Sequence, residues 1–538
     1  MKYERVTSPI NNYLLKQFWN GTSPLHSFFA YKVEQQSYEK RAEYLKNRTY
    51  KREEISRTIR SYMERFGITD EVNHNLTLLQ NGALVIAGGQ QAGILTGPLF
   101  TVYKAISVIL LAKEQSEKLN VPVVPLFWVA GEDHDIDEIN HTFSIQNKAV
   151  KKCVFGEKNS KKIMASNTNY DKQKLISFVE DLFKQYGETN YTKGLIQEIR
   201  EMILRYETFT DIFSAIMHYF FAKHGLLMID STYKPLRNLE SEFFEQIIEK
   251  NDALAEAVVK KEKQLMEHGY GCPIDAKIES ANLFFVKDGE RFLLERKDSL
   301  FFNGLGGVKL TQEELLNIAK NEPEKLSNNV VTRPLMQDFI FPILAFVGGP
   351  GELAYWATLK TAFETMEMEM PLFIPRLSIT LITRQIDQLL EKHRLEVEDV
   401  YAGKASEQLQ EFIESIRDEN ILQYINEMEF SLKQQYEQLT TQLQMKEINI
   451  QKTIDRNVQY HLQQFAYLKD KIHEDVLRKH EVIIGQYELI ENLFRPNNKL
   501  QERVFNPFQF LNEYGPTLID DLLTLPFKLE AEHYVVKI

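Results

Sequence analysis

Asn81 to Lys104, NGALVIAGGQQAGILTGPLFTVYK, reads as a buried strand, a glycine-rich turn and the start of a helix in one continuous segment. Ala83 to Ala87 is a short apolar run bounded by turn residues, and Leu99, Val102, Ala105, Ile106, Ile109 and Leu110 recur at helical spacing. Gly88, Gly89, Gly93 and Gly97 permit close backbone approach and sharp turning, and Pro98 suits a first helical position, where its missing N–H costs nothing. A helix N-terminus reached in this way offers free N–H groups to a phosphate or carboxylate; the competing reading is a tight strand-to-helix turn with no ligand. Neither G-x-G-x-x-G nor the P-loop pattern is present, so spacing alone gives no nucleotide fingerprint.

Working outward, the helix expected over 99–118 leads to VPVVPLFWVA (Val121 to Ala130), a second apolar run rich in β-branched and aromatic residues. Strand, helix and strand within about 50 residues describe a parallel βαβ unit. The second strand ends in Gly131-Glu132-Asp133-His134-Asp135-Ile136-Asp137-Glu138-Ile139-Asn140-His141. Ligands of open parallel sheets sit outside the carboxyl ends of the strands, and this acidic cluster falls at such an end. Asp133, His134 and Asp135 could bind a divalent metal, orient an amine nucleophile, or act as general acid and base near neutral pH. In the competing structural reading an Asp caps the following helix and His134 merely packs.

With 538 residues the chain is too long for one ordinary domain, and 43% hydrophobic with 26% charged residues is the balance of a globular protein. The first residues carry no signal-peptide pattern and no apolar run is long enough to span a bilayer, so a cytoplasmic protein is expected. The two cysteines, Cys153 and Cys272, lie far apart without paired Cys or His spacing, which argues against disulfides and against a Cys-rich zinc site. A net charge of -12 argues against a general nucleic-acid binder.

Residues 1 to 75 read as largely helical. Residues 142 to 215, with polar segments at Lys148 to Lys162 and Asn167 to Lys174, read as an insertion, followed by a short buried strand in Gly225 to Asp230 and one amphipathic helix over 239–267. Asn282 to Val286 and Arg291 to Glu295, joined by Lys287-Asp288-Gly289-Glu290, form a hairpin signal inside a second insertion, about 255–325. The core returns at Ser327 to Ser378: an apolar run, Phe339 to Val347, ends in Gly348-Gly349-Pro350-Gly351-Glu352 and a helix from Leu353, repeating the first pattern, and Pro371 to Ser378 supplies a last strand. Arg333 and Arg376 stand beside strand-end turns as candidates for gripping carboxylate or phosphate. The two glycine turns are expected to form opposite walls of one anion site, with Arg333, Arg376 and Thr96 as partners.

From Leu377 to Arg495 only Gly403 and Gly485 interrupt a run without proline, and apolar residues recur at three and four. Long antiparallel helices with a coiled-coil seam follow, with turns near Gly403 and between Leu443 and Phe465. The expected architecture is therefore α/β: a Rossmann-like parallel-sheet core over 1–380 with its two insertions, a helical coiled-coil arm over 381–495, and a segment over 496–538 packing on the core and ending in a strand near His533 to Ile538.

The segments GGQQAGILTGPLFTVYKAIS, PLFWVAGEDHDIDEINH, NNVVTRPLMQDFIFPILAFVGGPGELAYW and PRLS, with LQERVFN in the tail, resemble the bacillithiol biosynthesis cysteine-adding enzymes, the BshC family of cysteine ligases, over the full length. The resemblance implies joining of cysteine to the free amine of glucosaminyl malate, and a Rossmann-like core related to class I aminoacyl-tRNA synthetases and the mycothiol cysteine ligase. It also implies a homodimer through the coiled coil. On these motifs Asp133, His134 and Asp135 are the catalytic candidates. Gly88, Gln90, Gln91, Thr96, Gly97, Asn140, His141, Arg333, Gln337, Asp338, Gly349, Gly351, Glu352, Tyr355, Trp356 and Arg376 are candidates for binding substrate or nucleotide. No His-x-Gly-His signature precedes the first helix, where Leu95-Thr96-Gly97-Pro98 stands, and there is no Lys-Met-Ser-Lys-Ser loop or clear zinc ligand set. Amide formation in water runs uphill, so activation, most simply by ATP with Mg, is expected. The alternative function is a helical-arm scaffold around a degenerate nucleotide-binding core; a tRNA-handling enzyme is disfavoured by charge.

Overall fold

The computed structural model describes residues 1–7, 9, 12–21, 23–146, 148–156 and 162–538. The chain divides into two compact units, one of Met1–Gln146, Val150–Thr383 and Asn498–Ile538 and the other chiefly of Arg384–Asn497.

The first unit is built on five parallel strands: β1 (Leu84–Gln90), β2 (Val123–Val129), β3 (Leu227–Asp230), β4 (Ile343–Gly348) and β5 (Leu372–Pro375). Their order, β3-β2-β1-β4-β5, reverses direction between β1 and β4. Covered on both faces, these strands are almost continuously apolar, as β2 (VVPLFWV) shows. Pro125 sits inside that central strand opposite Ile86, giving up one ladder donor. Pairing of Gln90 with Val129, Val129 with Asp230 and Gly348 with Pro375 brings all five carboxyl ends to one edge.

Local structure departs from the sequence expectations where tertiary partners intervene. The first 75 residues are not all helical, because Lys2–Thr7 pairs antiparallel with Glu532–Lys537, which in turn runs parallel to Ile379–Ile382. Ile379–Ile382 is therefore strand, where helix was expected. The helix expected over 239–267 is two, Lys234–Glu249 and Asn251–Glu267, parted where the Asn251 amide donates to Ala281 O at 2.7 Å. Only the second half of the run Phe339 to Val347 is strand; Thr332–Ile340 is helix and Pro342 separates the two. The segment 142–215 carries helices Lys172–Tyr186, Thr192–Arg205 and Phe209–Phe221, while 157–161 within Lys148 to Lys162 lie outside the described residues. The expected hairpin belongs to a five-stranded antiparallel sheet, in the order Val308–Thr311, Leu300–Asn303, Glu290–Lys297, Ser280–Lys287 and Leu326–Asn328.

In the second unit Glu419–Met445 and Gln451–Lys479 form an antiparallel pair, as shown by the ion pair of Glu429 with Lys469 at 2.9 Å and the Tyr436–His461 ring contact. Gly403, at φ +92°, ends the helix Val397–Ala402. Tyr424, Met428, Phe430, Tyr460 and Tyr467 are exposed on the long pair. Among the described residues no helix is long and apolar enough to cross a membrane.

His533, on the last strand, is fully buried against Ser378 (2.8 Å) and Thr380 (2.9 Å), and burial depresses its imidazole to about 4. A folded-state value below the unfolded one gives stability that is complete above about pH 6.5 and is lost as pH falls toward 4. Urea titrations at pH 7 and pH 4.5 should show wild type losing about 2 kcal/mol more than His533→Asn across that window; parallel losses would remove His533 as the cause.

Candidate active site

At the reversal point between β1 and β4, where such sheets bind ligands, the two glycine turns converge on a lysine. Lys104, buried on the helix Phe100–Leu119, donates from Nζ to Gly89 O (2.7 Å), Gln90 Oε1 (2.9 Å) and Glu352 Oε2 (2.5 Å). Glu352 Oε2 also accepts the Gly349 N–H at 2.8 Å, capping the helix Pro350–Trp356. The expected anion site between two helix ends is thus corrected: Glu352 is the anion, and it belongs to the protein. Gly89 serves close packing, since a Cβ there would stand 2.5 Å from Trp128 O.

The turn after β1 is strained. Leu95, Thr96 and Gly97 have φ of 51°, 70° and 70°, a costly conformation for a branched residue such as Thr96, of order 1–3 kcal/mol per residue. The LQERVFN tail sustains it: Asn506 donates to Leu95 O (2.7 Å) and Gly97 O (3.1 Å), and the Leu99 N–H donates to Phe505 O (2.8 Å). From the same tail Glu502 accepts from Arg376 at 2.7 Å and from the Ile379 N–H at 3.0 Å. Arg376 is therefore a buried structural ion pair resting on Phe100, and the expectation that it grips substrate is corrected.

Beside this edge lies a cavity of about 530 Å³, walled by Glu132, Asp133 and His134 from the end of β2, Arg291 and Asn328 from the antiparallel sheet, and Arg333. Asp133 accepts from the Gln91 amide at 2.7 Å and from the Asp135 N–H at 3.2 Å. Burial works to raise its carboxyl, but these donors with Arg291 and His134 outweigh it and hold Asp133 below the usual carboxylate range. His134 is pushed below the ordinary imidazole value by burial and then by Arg291, whose Nη1 lies 3.5 Å from Nδ1, so the ring is neutral at pH 7.

Arg291 donates from Nε to Ser327 (2.7 Å) and from Nη2 to Asn328 O, with its guanidinium 3.7 Å over the Phe284 ring. Arg333 donates to the Tyr355 hydroxyl, and its Nε is buried without a partner among the described residues. Beneath the wall, Arg237 bridges Glu132 and Glu240 at 2.6 Å each. Burial would raise both carboxyls; Arg237, Arg291 and Arg333 keep Glu132 below its ordinary value, whereas Glu240 remains raised.

Of the candidates read from sequence, the structure brings Asp133, His134 and Arg333 into the cavity wall, with Gln91 and Tyr355 bonded directly behind them. Gln90, Glu352 and Gly349 belong to the Lys104 cluster, and Gly88 packs against the same helix. The others are not brought together with them. Asp135 contributes its main-chain N–H, Asn140 donates its N–H to Ile136 O, and His141 Nδ1 lies 3.1 Å from Asp137 O. Thr96 is buried in the strained turn beside Gly97, Gly351 lies inside the capped helix, Trp356 stacks on Phe346 in the core, and Gln337 is buried in the helix Thr332–Ile340. Asp338 is corrected to a structural role: its buried carboxylate holds Arg41 and Arg48. Sequence reasoning missed Lys104, Arg291 and Asn328, and gave Glu132 no separate role within the acidic cluster it singled out; a charge inside the apolar helical run was the available signal for Lys104.

Residues 1–377 match the family model described as the N-terminal Rossmann-like domain of BshC of bacillithiol biosynthesis, and residues 379–538 match the BshC C-terminal coiled-coil domain. This chain belongs to the BshC family. It is 46% identical over 536 residues to the protein named "Putative cysteine ligase BshC" from Lysinibacillus sphaericus and 37% identical over 540 residues to the one so named from Geobacillus kaustophilus, each aligned over the full length of both chains. BshC membership accords with the parallel sheet and the long helical pair described above.

Lys104→Met in this BshC chain removes the buried cation and leaves Glu352 and Gln90 facing each other. Chemical denaturation should show a loss of roughly 3 kcal/mol, of which Lys104→Met/Glu352→Met recovers at least about half, because replacing both partners of a buried pair is far less costly than breaking it. A neutral single variant would contradict the bridging role.

Proposed function

We propose that the chain is a cysteine ligase that forms an amide between the carboxyl of cysteine and the amine of glucosaminyl malate, with the carboxyl activated by ATP. The observation that carries this reading is a single cavity at the sheet's reversal edge that pairs arginines, Arg291 and Arg333, with a neutral imidazole, His134, beside ionised Asp133. The guanidinium donors suit the malate carboxylates. In the proposed reaction the amine nitrogen bonds the activated carbonyl carbon, the phosphate-bearing leaving group departs with its bonding electrons, and the amine's proton passes to His134. A neutral imidazole can accept that proton, whereas a carboxylate held at low pKa is a weak acceptor. Among the described residues no group of three His, Cys, Asp or Glu is arranged for a metal. In this reading magnesium therefore travels with the nucleotide phosphates, and Asp133 and Glu138, which share the Gln91 amide, are the carboxylates to hold it. A cytoplasmic enzyme is the corresponding expectation.

Reconstitution with cysteine, glucosaminyl malate and ATP, read by mass spectrometry, should give the amide product. No product with or without magnesium would defeat the reading. His134→Gln should lower kcat/KM about 10²–10⁴-fold while leaving the melting temperature within a few degrees. Because the His134 value lies below about 6.5, wild-type kcat/KM should fall on the acid side of that value, and His134→Gln should lose that acid limb.

We further propose that the long helical pair joins two copies, since Phe430, Tyr460 and Tyr467 lie exposed on it. Deleting residues 430–468 and joining the neighbouring Glu429 and Lys469 by a short glycine linker should give a monomer in sedimentation analysis. A dimer that survives the deletion would contradict this.

A further inference from the structure

Two polar groups of the cavity wall are left over by the proposed chemistry. Glu132 uses only Oε2, which accepts from Arg237 (2.6 Å) and from the Asn328 N–H (3.3 Å); among the described residues nothing donates to Oε1. Asn328 is only 1% exposed, yet neither atom of its carboxamide has a partner among the described residues. Its main chain is fully used, donating to Glu132 and accepting from Arg291, so the unpaired amide is fixed beside the carboxylate by bonds on both sides. An amide buried with both atoms unpaired is costly, and at a cavity wall a ligand or water completes it.

We propose that Glu132 and Asn328 form the seat for a 2-amino sugar, Glu132 Oε1 receiving the ammonium and the Asn328 carboxamide the oxygens that flank it, the 3-hydroxyl and the glycosidic oxygen. This rests on the reading of the chain as a ligase acting on an amino sugar. Glu132, held by Arg237 at 2.6 Å, pairs with the ammonium; the nitrogen gives one proton to His134 before it attacks, and the second leaves with the phosphate-bearing leaving group as the amide forms. A carboxamide carbonyl needs a donor and its NH₂ an acceptor; a sugar hydroxyl supplies either. The carboxylate beside the amine of an α-amino acid can only accept, so cysteine fits this pair less well. Arg333, in the same wall, remains for the acidic end of the molecule.

The test is calorimetric titration of the full-length protein, wild type, Asn328→Leu and Glu132→Gln, with glucosaminyl malate, its N-acetylated form and cysteine. Wild type should prefer glucosaminyl malate over the N-acetylated form by roughly tenfold or more. Glu132→Gln should erase most of that preference. Asn328→Leu should weaken glucosaminyl malate roughly tenfold or more while the free protein melts at the same or a higher temperature, since an unpaired buried amide has been removed. Wild-type affinity in Asn328→Leu, or a lower melting temperature with unchanged affinity, would overturn the seat and leave the ligase reading standing. Loss of cysteine binding alone would assign the pair to the amino acid and overturn the seat. If wild type does not bind glucosaminyl malate, the ligase reading itself falls. Should Glu132→Gln fail to fold, Asn328→Leu decides.

Discussion

The ammonium of Lys104 fixes the geometry of the sheet's carboxyl edge. Parallel strands leave their carboxyl ends pointing the same way, but nothing in the ladder fixes the loops that follow them. Here one buried cation ties the loop after β1, through Gly89 and Gln90, to the loop after β4, through Glu352. Gln91, the next residue, is thereby set to hold Asp133 at the end of β2. Three neighbouring strands are coupled at their ends through one side chain. A second restraint acts from outside the sheet, where Asn506 and Glu502 of the tail hold the strained Leu95–Gly97 turn and Arg376. The antiparallel Lys2–Thr7 and Glu532–Lys537 strands keep both ends of the chain in that unit.

Both sheets bring charge to the cavity. The edge of the parallel sheet contributes Glu132 and Asp133, and the inserted antiparallel sheet contributes Arg291 together with Glu295. Each side tunes the other: Arg291 lowers both carboxyls and the adjacent imidazole, leaving His134 neutral between fixed charges. Such an arrangement suits a substrate with an amine at one end and carboxylates at the other, and it accounts for why an insertion far along the chain is part of the proposed site.

Much of the fold was legible from residues alone, because its signals are local. The run Ala83 to Ala87, the glycines after it, and the proline-free periodicity beyond Leu377 each state their element within one window, and the cluster from Glu132 to His141 announces itself at a strand end. What sequence could not show depends on distant partners. Arg291 reads as an ordinary hairpin residue until its sheet is placed against β2, and Arg376 reads as an anion grip until Glu502 fills it. Asp338, beside Gln337 in a motif that looked like one binding unit, is instead held by Arg41 and Arg48, partners from the start of the chain that no local pattern reveals. The first strand was missed because its partner lies more than 500 residues away.

The most direct measurement is a crystal structure of the protein soaked with glucosaminyl malate. The account predicts density in the cavity between β2 and the antiparallel sheet, with malate carboxylates on Arg333 and Arg291 and the amine at Glu132, within reach of His134. Density for the ligand anywhere else, with this cavity holding solvent alone, would contradict it.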